Sequence, residues 1–312
     1  LSNKALKYMM RLGSVINNEF YDKQRMRQST YNISRVLQLF KEDENFISIP
    51  RGCLKDLISI FECLKVEYEI IDKRVEGKEI EVEFCKDLRP DQETALVNIM
   101  CEDNGVFVAP PGFGKTVMAA ALISEYKRNT LVLVNNVSLI DQWKERLNEF
   151  LQVNYEYKKE KDKFGVYYGA KKKLTGNIDI ASIHSFDDSI ESNEILSKYG
   201  MIIVDEVHHL AARTFERVLR NTNTKYIYGL TATPKRFDRN EKIIYKTIGD
   251  IIYEHQNTHS ELSKILIPKI TNFRLTSKDK LLSYVEQCNK LVSNEERNKL
   301  IIEDIKTCIL KK

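Results

Sequence analysis

The chain has 312 residues, 42% of them hydrophobic and 30% charged, with 49 basic against 45 acidic side chains and a net charge of +4. That length gives room for two domains at about 150 residues each, and a balance so near neutral excludes a chain-wide polycation, so any nucleic-acid surface must be local. No apolar run reaches the ~18 residues of a membrane span and no leader-type segment opens the chain, so no membrane partner is expected. Cys53, Cys63, Cys85, Cys101, Cys288 and Cys308 lack C-x-x-C spacing, which argues for reduced thiols in a cytoplasmic protein over zinc or disulfides. Because the sequence starts at Leu1, it is expected to be part of something longer.

Residues 1–30 have a helical pattern, with Met9, Met10, Leu12 and Val15 as the apolar face and Lys23-Gln-Arg-Met-Arg27 as a solvated basic cluster. Residues 35–40 and 45–49 are β-type runs around Lys41-Glu-Asp-Glu44, the pattern of a hairpin, and Pro50-Arg-Gly52 stops it. Leu54, Leu57, Ile58, Ile60, Phe61 and Leu64 recur at helical spacing. Residues 66–75 and 79–84 alternate around Glu76-Gly77 and predict a second hairpin. Together these make a small α+β domain over residues 1–86, whose role the pattern alone does not disclose.

From Asp87 the rhythm becomes strand, helix, strand, helix, which signals a parallel sheet covered on both faces. Residues 106–108 are a short buried strand and 117–126 a helix, with Ala109-Pro-Pro-Gly-Phe-Gly-Lys-Thr116 between them. Residues 131–134 are a strand, and 138–147 a helix with Ser138 placed to cap it. Further strands are predicted over 164–168 and 178–181, separated by Lys171-Lys-Lys173; the lysines suit a solvated turn better than a patch tracking a phosphodiester backbone. The strand 201–204 ends in Asp205-Glu206, and 226–230 leads into Thr231-Ala-Thr-Pro234. Residues 266–270 read as a late strand or crossing segment, and 276–312 as helical. The fold class expected is therefore α/β, a parallel sheet with helices on both faces over residues 87–270, with a helical segment over 271–312.

Strand, glycine-bearing loop and helix in succession make a phosphate cradle. Gly112 and Gly114 let the backbone curl until its N–H groups face one point, and the helix N-terminus adds partial positive charge there. Lys115 can reach terminal phosphates and the Thr116 hydroxyl can ligate Mg²⁺, although Ala109 stands where the general pattern has Gly. The metal then needs an acidic residue. In open α/β sheets ligands sit outside the carboxyl ends of strands, which would deliver Asp205 to the Mg²⁺ shell and Glu206 to an attacking water.

Ala109-x-x-Gly-x-Gly-Lys-Thr116, Asp205-Glu-Val-His208 and Thr231-Ala-Thr233, in that order and spacing, resemble superfamily 2 helicases and translocases. Leu88-Arg-Pro-Asp-Gln92, Leu131-Val-Leu-Val134 with Asp141-Gln-Trp-Lys144, and Thr233-Pro-Lys-Arg236 with Asp238 are similar to the branch that includes XPB, UvsW and the poxvirus transcript-release helicase. Ile49-Pro-Arg-Gly52 through Tyr68-Glu-Ile-Ile-Asp-Lys-Arg74 resembles the small DNA-contacting domain before the motor in bacterial members, some of them in restriction-type or mobile-element systems. The resemblance implies a RecA-like motor domain using ATP and Mg²⁺. It implies that Gln92 reads the adenine edge with Arg89 beside the base. It implies that the loop from Pro111 to Gly114 holds phosphates with Lys115, through the N–H groups of Gly112, Phe113 and Gly114, that Thr116 and Asp205 serve the metal, and that Glu206 serves the water.

The same likeness has His208, Thr231 and Thr233 couple nucleotide state to nucleic-acid grip; the alternative for His208 is a satisfied interior histidine. Asn136, Ser138, Gln142, Ser182 and Ser185 match positions that contact the phosphodiester backbone, expected opposite the nucleotide crevice. Short hydroxyl and amide donors hold phosphates without reading sequence. Asn135-Asn136 departs from the commoner Pro-Thr or His-Arg. Trp143 resembles a strand-stacking residue in isolation, yet its place beside Leu139, Ile140 and Leu147 favours packing.

The partners implied are nucleic acid, duplex DNA above RNA, and a second RecA-like domain carrying transition-state arginines. No Gln-x-x-Gly-Arg-x-x-Arg pattern occurs in these residues, so this piece alone is expected to bind ATP weakly and turn it over very slowly. The resemblance leaves three readings open: a helicase or duplex translocase, a restriction-type motor that moves without unwinding, and a nucleic-acid scaffold without turnover. Intact Lys115, Asp205 and Glu206 weigh against the last.

Overall fold

Five-residue runs such as Thr-Leu-Val-Leu-Val and Ile-Asp-Ile-Ala-Ser are buried along their whole length, which only a strand covered on both faces achieves. In this computed structural model, residues 3–187, 189–209, 212–220, 222–233, 241–255, 268–276, 279 and 282–310 are described. They fall in two compact units, Leu1–Asn257 and Thr258–Lys312.

The first unit begins with α1 (Asn3–Leu12), β1 (Ser14–Ile16), α2 (Asn18–Arg25), β2 (Val36–Gln38), β3 (Lys41–Glu42), β4 (Ile47–Ser48), α3 (Leu54–Cys63) and β5 (Val82–Phe84). It continues with α4 (Pro90–Met100), β6 (Asn104–Val108), α5 (Lys115–Tyr126), β7 (Thr130–Val134), α6 (Ser138–Phe150), β8 (Leu151–Val153), β9 (Gly165–Tyr168), β10 (Lys171–Lys173) and β11 (Ile178–Ser182). It closes with α7 (Ile190–Leu196), β12 (Met201–Val204), α8 (Ala212–Arg220), β13 (Tyr226–Thr231), α9 (Glu241–Thr247) and β14 (Ile251–Glu254).

Eight strands form one sheet in the order β10-β9-β11-β7-β12-β13-β6-β14, and every neighbour pair is parallel except β9 with β10. Alternate residues of each strand feed opposite layers, as the pleat requires. Phe107, Val132, Val134, Ile203 and Tyr228 pack with α4, α5 and α6, while Val106, Leu131, Leu133, Ile202 and Val204 pack with α7, α8 and α9. The α/β sheet with helices on both faces is as the sequence predicts.

Several local expectations are corrected. Residues 1–30 are not one helix: β1 interrupts them and pairs antiparallel with β2, so only a short β3–β4 ladder remains of the first hairpin. The second hairpin does not form. Residues 66–74 carry no ladder, Val75 bridges Thr224, Glu79 bridges Arg128, and β5 pairs antiparallel with β8. Alternation over 66–84 therefore reflects a strap laid on the motor sheet, whose tertiary partners outcompete a local turn.

That strap crosses the main chain of residue 200 so closely that neither residue can carry a side chain. A Cβ on Gly200 would lie 1.9 Å from Glu76 O, and one on Gly77, at φ +67°, would lie 2.2 Å from Gly200 N. Glu76 pairs with Lys225 and Arg128 beside the crossing, and Arg51 Nη2 donates to Thr224 O at 2.7 Å.

Lys171–Lys173 is an edge strand rather than a turn, its lysines blunting an otherwise open ladder. Ser138 does not cap α6; Asn136 Oδ1 accepts from Ser138 N at 3.0 Å instead. Residues 268–270 hold no strand, and 266–267 lie outside the described residues, as do 234–240 with the Pro-Lys-Arg string and Asp238.

The second unit contains α10 (Tyr284–Val292) and α11 (Glu295–Leu310). Ser283 and Glu286 form a capping box at the start of α10, and Asn294 Oδ1 accepts from Arg297 N at the start of α11. Ile301, Ile305 and Ile309 form an exposed i, i+4 stripe along α11.

Candidate nucleotide-binding site

β6 and β12 end at the same edge of the sheet with β13 between them, so the loops that follow face one crevice. After β6 the chain turns through Gly112 at φ +85° and Gly114 at φ +100°, and Gly114 is the residue from which α5 starts. A side chain at either position would have to adopt a left-handed backbone that L residues rarely hold. Phe113 is buried against Phe107 and His255, which anchors the loop and leaves Pro111 and Gly112 exposed at its tip.

A cleft of ≈ 450 Å³ opens there, walled by Gly114, Lys115, Thr116, Trp143, Asp205 and Glu206 among others. Lys115, Thr116, Asp205 and Glu206, predicted from two separate strings, are thus brought together. Lys115 Nζ lies 3.4 Å from Glu206 Oε1 and 3.5 Å from Ala109 O, with the lysine side chain 12% and the glutamate 29% exposed. Glu206 holds φ +47°, an uncommon state for a side-chain-bearing residue and one found at sites where geometry is imposed. Its Oε2 is buried and accepts no hydrogen bond, though His208 Nδ1 stands 3.3 Å away.

Asp205 is pushed above the usual carboxylate range, first by burial, with Glu206 adding repulsion against the help of Trp143 and Lys115. Trp143 Nε1 donates to Asp205 Oδ2 at 2.8 Å. Sequence reasoning assigned Trp143 to packing and missed this bond. The available signal was its place on the helix that follows β7, the strand next to β12.

Gln92 is 4% exposed and spans two backbone groups. Its Oε1 accepts from Arg89 N at 3.0 Å, and its Nε2 donates to Phe113 O at 2.7 Å. Arg89 also donates to Phe113 O and lies over the Phe113 ring. The Gln92 amide thus ties the start of α4 to the glycine loop.

His208, Thr231 and Thr233 form a short relay beside Glu206. The Thr231 hydroxyl donates to Thr233 O and lies 2.7 Å from His208 Nδ1. A hydroxyl has one proton to give, so Nδ1 is the donor in that contact.

The predicted backbone-contacting residues divide. Asn136 and Ser138 are exposed and Ser185 is half-buried, whereas Ser182 is only 4% exposed. Gln142 belongs to the wall of the nucleotide cleft. His184, given no role of its own by the sequence, approaches Asn135 Oδ1 at 2.9 Å through Nε2 and ties the loop after β7 to the one after β11.

A glycine cradle at a helix N-terminus, with a lysine and two acids at the mouths of neighbouring parallel strands, is the arrangement that RecA-like nucleoside-triphosphate sites use. The profile of the family "Type III restriction enzyme, res subunit" matches residues 85–236. A DNA 3′-5′ translocase XPB2 from Sulfurisphaera tokodaii is 31% identical over 212 residues, 64% of this chain and 45% of its own length. A protein of Acanthamoeba polyphaga mimivirus, provisionally described as an ATP-dependent RNA helicase, is 25% identical over 96% of this chain and 58% of its own. The crystal structure of the UvsW helicase from bacteriophage T4 superposes with a TM-score of 0.55 at 15% identity, covering 80% of this chain and 93% of that one.

The chain is thus similar in sequence to DNA translocases and helicases of the XPB type, and its fold is that of UvsW. It spans less than half the length of the XPB2 relative and little more than half of the mimivirus one. No helix among the described residues is long and apolar enough to cross a membrane.

Proposed function

We propose that this chain is the N-terminal domain, over residues 1–86, and first motor domain, over 87–270, of an ATP-dependent helicase or translocase acting on duplex DNA. Residues 271–312 lead to a second RecA-like domain. The observation that carries the proposal is the gathering of Lys115, Thr116, Asp205 and Glu206 around one cleft.

Thr116 and Asp205 offer hard oxygen ligands, and among the described residues no group of three or more His, Cys, Asp or Glu could hold an ion unaided. That donor set fits Mg²⁺, which keeps several waters and is completed by substrate phosphates. When bound there it would supply charge neutralisation at the phosphate oxygens. Lys115 exchanges Glu206 for the terminal phosphates, and the released Glu206, whose Oε2 lacks a hydrogen bond, takes the proton of the attacking water. His208 and Thr231 pass that change to Thr233 at the end of β13. Gln92 and Arg89 read the base by sharing the groups that now hold Phe113 O.

Asn136, Ser138, Ser185 and, after rearrangement, Ser182 and Gln142 hold the phosphodiester backbone. The exposed stripe Ile301, Ile305 and Ile309 suits burial against the second motor domain. The six free cysteines suit the reducing cytoplasm.

A second reading, a restriction-type motor that moves without separating strands, is favoured by the restriction-enzyme profile over residues 85–236. Streptavidin displacement from a biotinylated duplex, run beside strand displacement with the full-length parent protein, separates the two. Both activities together support a helicase, streptavidin displacement alone the restriction-type motor, and neither in the presence of ATP refutes a motor of any kind.

A further inference from the structure

The chain holds a single tryptophan, and its one polar atom is aimed at the nucleotide cleft. Trp143 lies on the buried face of α6 with Ile140 and Leu147 and is 3% exposed. Filling that core would call only for an apolar ring. An indole adds an N–H that must find an acceptor when buried. The acceptor is Asp205 Oδ2, at 2.8 Å and 62 residues away in sequence.

Without such a donor, a carboxylate at the mouth of β12 would turn toward the nearest cation. Lys115, a cation whose charge Asp205 feels, pairs with Glu206 instead. The two adjacent acids therefore have separate partners: Glu206 faces the lysine, and Asp205 is held by the indole.

We propose that Trp143 is a positioning residue for Asp205, fixing one carboxylate oxygen so that the side chain meets Mg²⁺–nucleotide in a set orientation. The inference rests on the nucleotide reading of the cleft and extends it to a residue outside the phosphate loop and the Asp205-Glu206 pair. Partners of this kind that orient a metal ligand are worth ~10–100-fold in metal affinity.

The test uses Trp143→Phe, which keeps a buried aromatic ring and removes the N–H. The probe is mant-ADP fluorescence, titrated with Mg²⁺ and separately in EDTA, with circular dichroism to verify the fold. The Mg²⁺ midpoint is expected to rise by ~10–100-fold while mant-ADP affinity in EDTA changes by less than about two-fold. In an Asp205→Asn background the same substitution should add no further loss. An unchanged Mg²⁺ midpoint, or an equal loss of affinity with and without Mg²⁺, overturns the proposal, because the ring would then be packing alone.

The unsubstituted protein provides a second measurement that does not depend on any variant's folding. Emission from its only tryptophan should change when Mg²⁺ joins ADP, and should not change in Asp205→Asn. A silent tryptophan overturns the inference while mant-ADP binding keeps the nucleotide reading intact. Absence of any mant-ADP binding by the unsubstituted chain removes both.

Discussion

Glu206→Gln should make this chain bind ATP more tightly, not less. Glu206 Oε1 lies 3.4 Å from Lys115 Nζ, so the glutamate competes with phosphate for that cation. At an effective dielectric near 20 the gross attraction at that distance is about 5 kcal/mol. The separation exceeds that of a close charge-assisted hydrogen bond, and the glutamate remains 29% exposed, so solvent screens much of it. A net competition of about 1–2 kcal/mol is reasonable, which converts to roughly 5–30-fold in dissociation constant. Glutamine keeps the volume and the amide oxygen, so the cleft should keep its shape. The assay is mant-ATP titration of the 312-residue chain and its variant in Mg²⁺. In the full-length parent the same substitution should lower hydrolysis by ~10²–10⁴, the usual value of a general base. Unchanged or weaker nucleotide binding by Glu206→Gln would refute the idea that Glu206 and the phosphates share Lys115.

Two further predictions concern stability. Gly200→Ala places a methyl 1.9 Å from Glu76 O and must prise the strap off the sheet, costing about 3 kcal/mol and lowering the thermal midpoint by about 5–10 °C; a drop under one degree would show that the crossing is not tight in solution. Asp205 ionises at a higher pH folded than unfolded because burial disfavours its charge, so the folded state gains protons relative to the unfolded one and stability falls as pH rises from about 4 through the raised folded value. In EDTA, Asp205→Asn should therefore match the unsubstituted protein below about pH 4 and melt higher than it at pH 7, and a lower midpoint at pH 7 would contradict this sign.

The legible parts of the site were those encoded within a few residues of one another. Glycines at 112 and 114 announce a left-handed loop, and an apolar run that stops at an Asp-Glu pair announces a strand end; both lie where the strings said they would. What the sequence hid were pairings chosen by the whole fold. β14 closes the sheet beside β6 with a register shift, and its Ile-Ile-Tyr run has no alternation to mark it. The run 66–84 alternates like a hairpin, yet it pairs with residues 128, 151–153 and 224. The Trp143 indole was invisible as a ligand-orienting group because periodicity records which face a residue takes, not which distant acceptor its N–H meets. Ser138 was read as a cap because of its type, but the α6 backbone places Asn136 where the donor needs an oxygen.

The most direct measurement is isothermal titration of ATP in Mg²⁺ into the unsubstituted chain and into Lys115→Ala, with thermal midpoints taken for both. The account predicts saturable one-site binding that weakens at least about ten-fold in Lys115→Ala while the variant stays folded, since the Lys115 ammonium is the charge the glycine loop sets beside the terminal phosphates. Equal binding by the two proteins, or no binding by either, would contradict it.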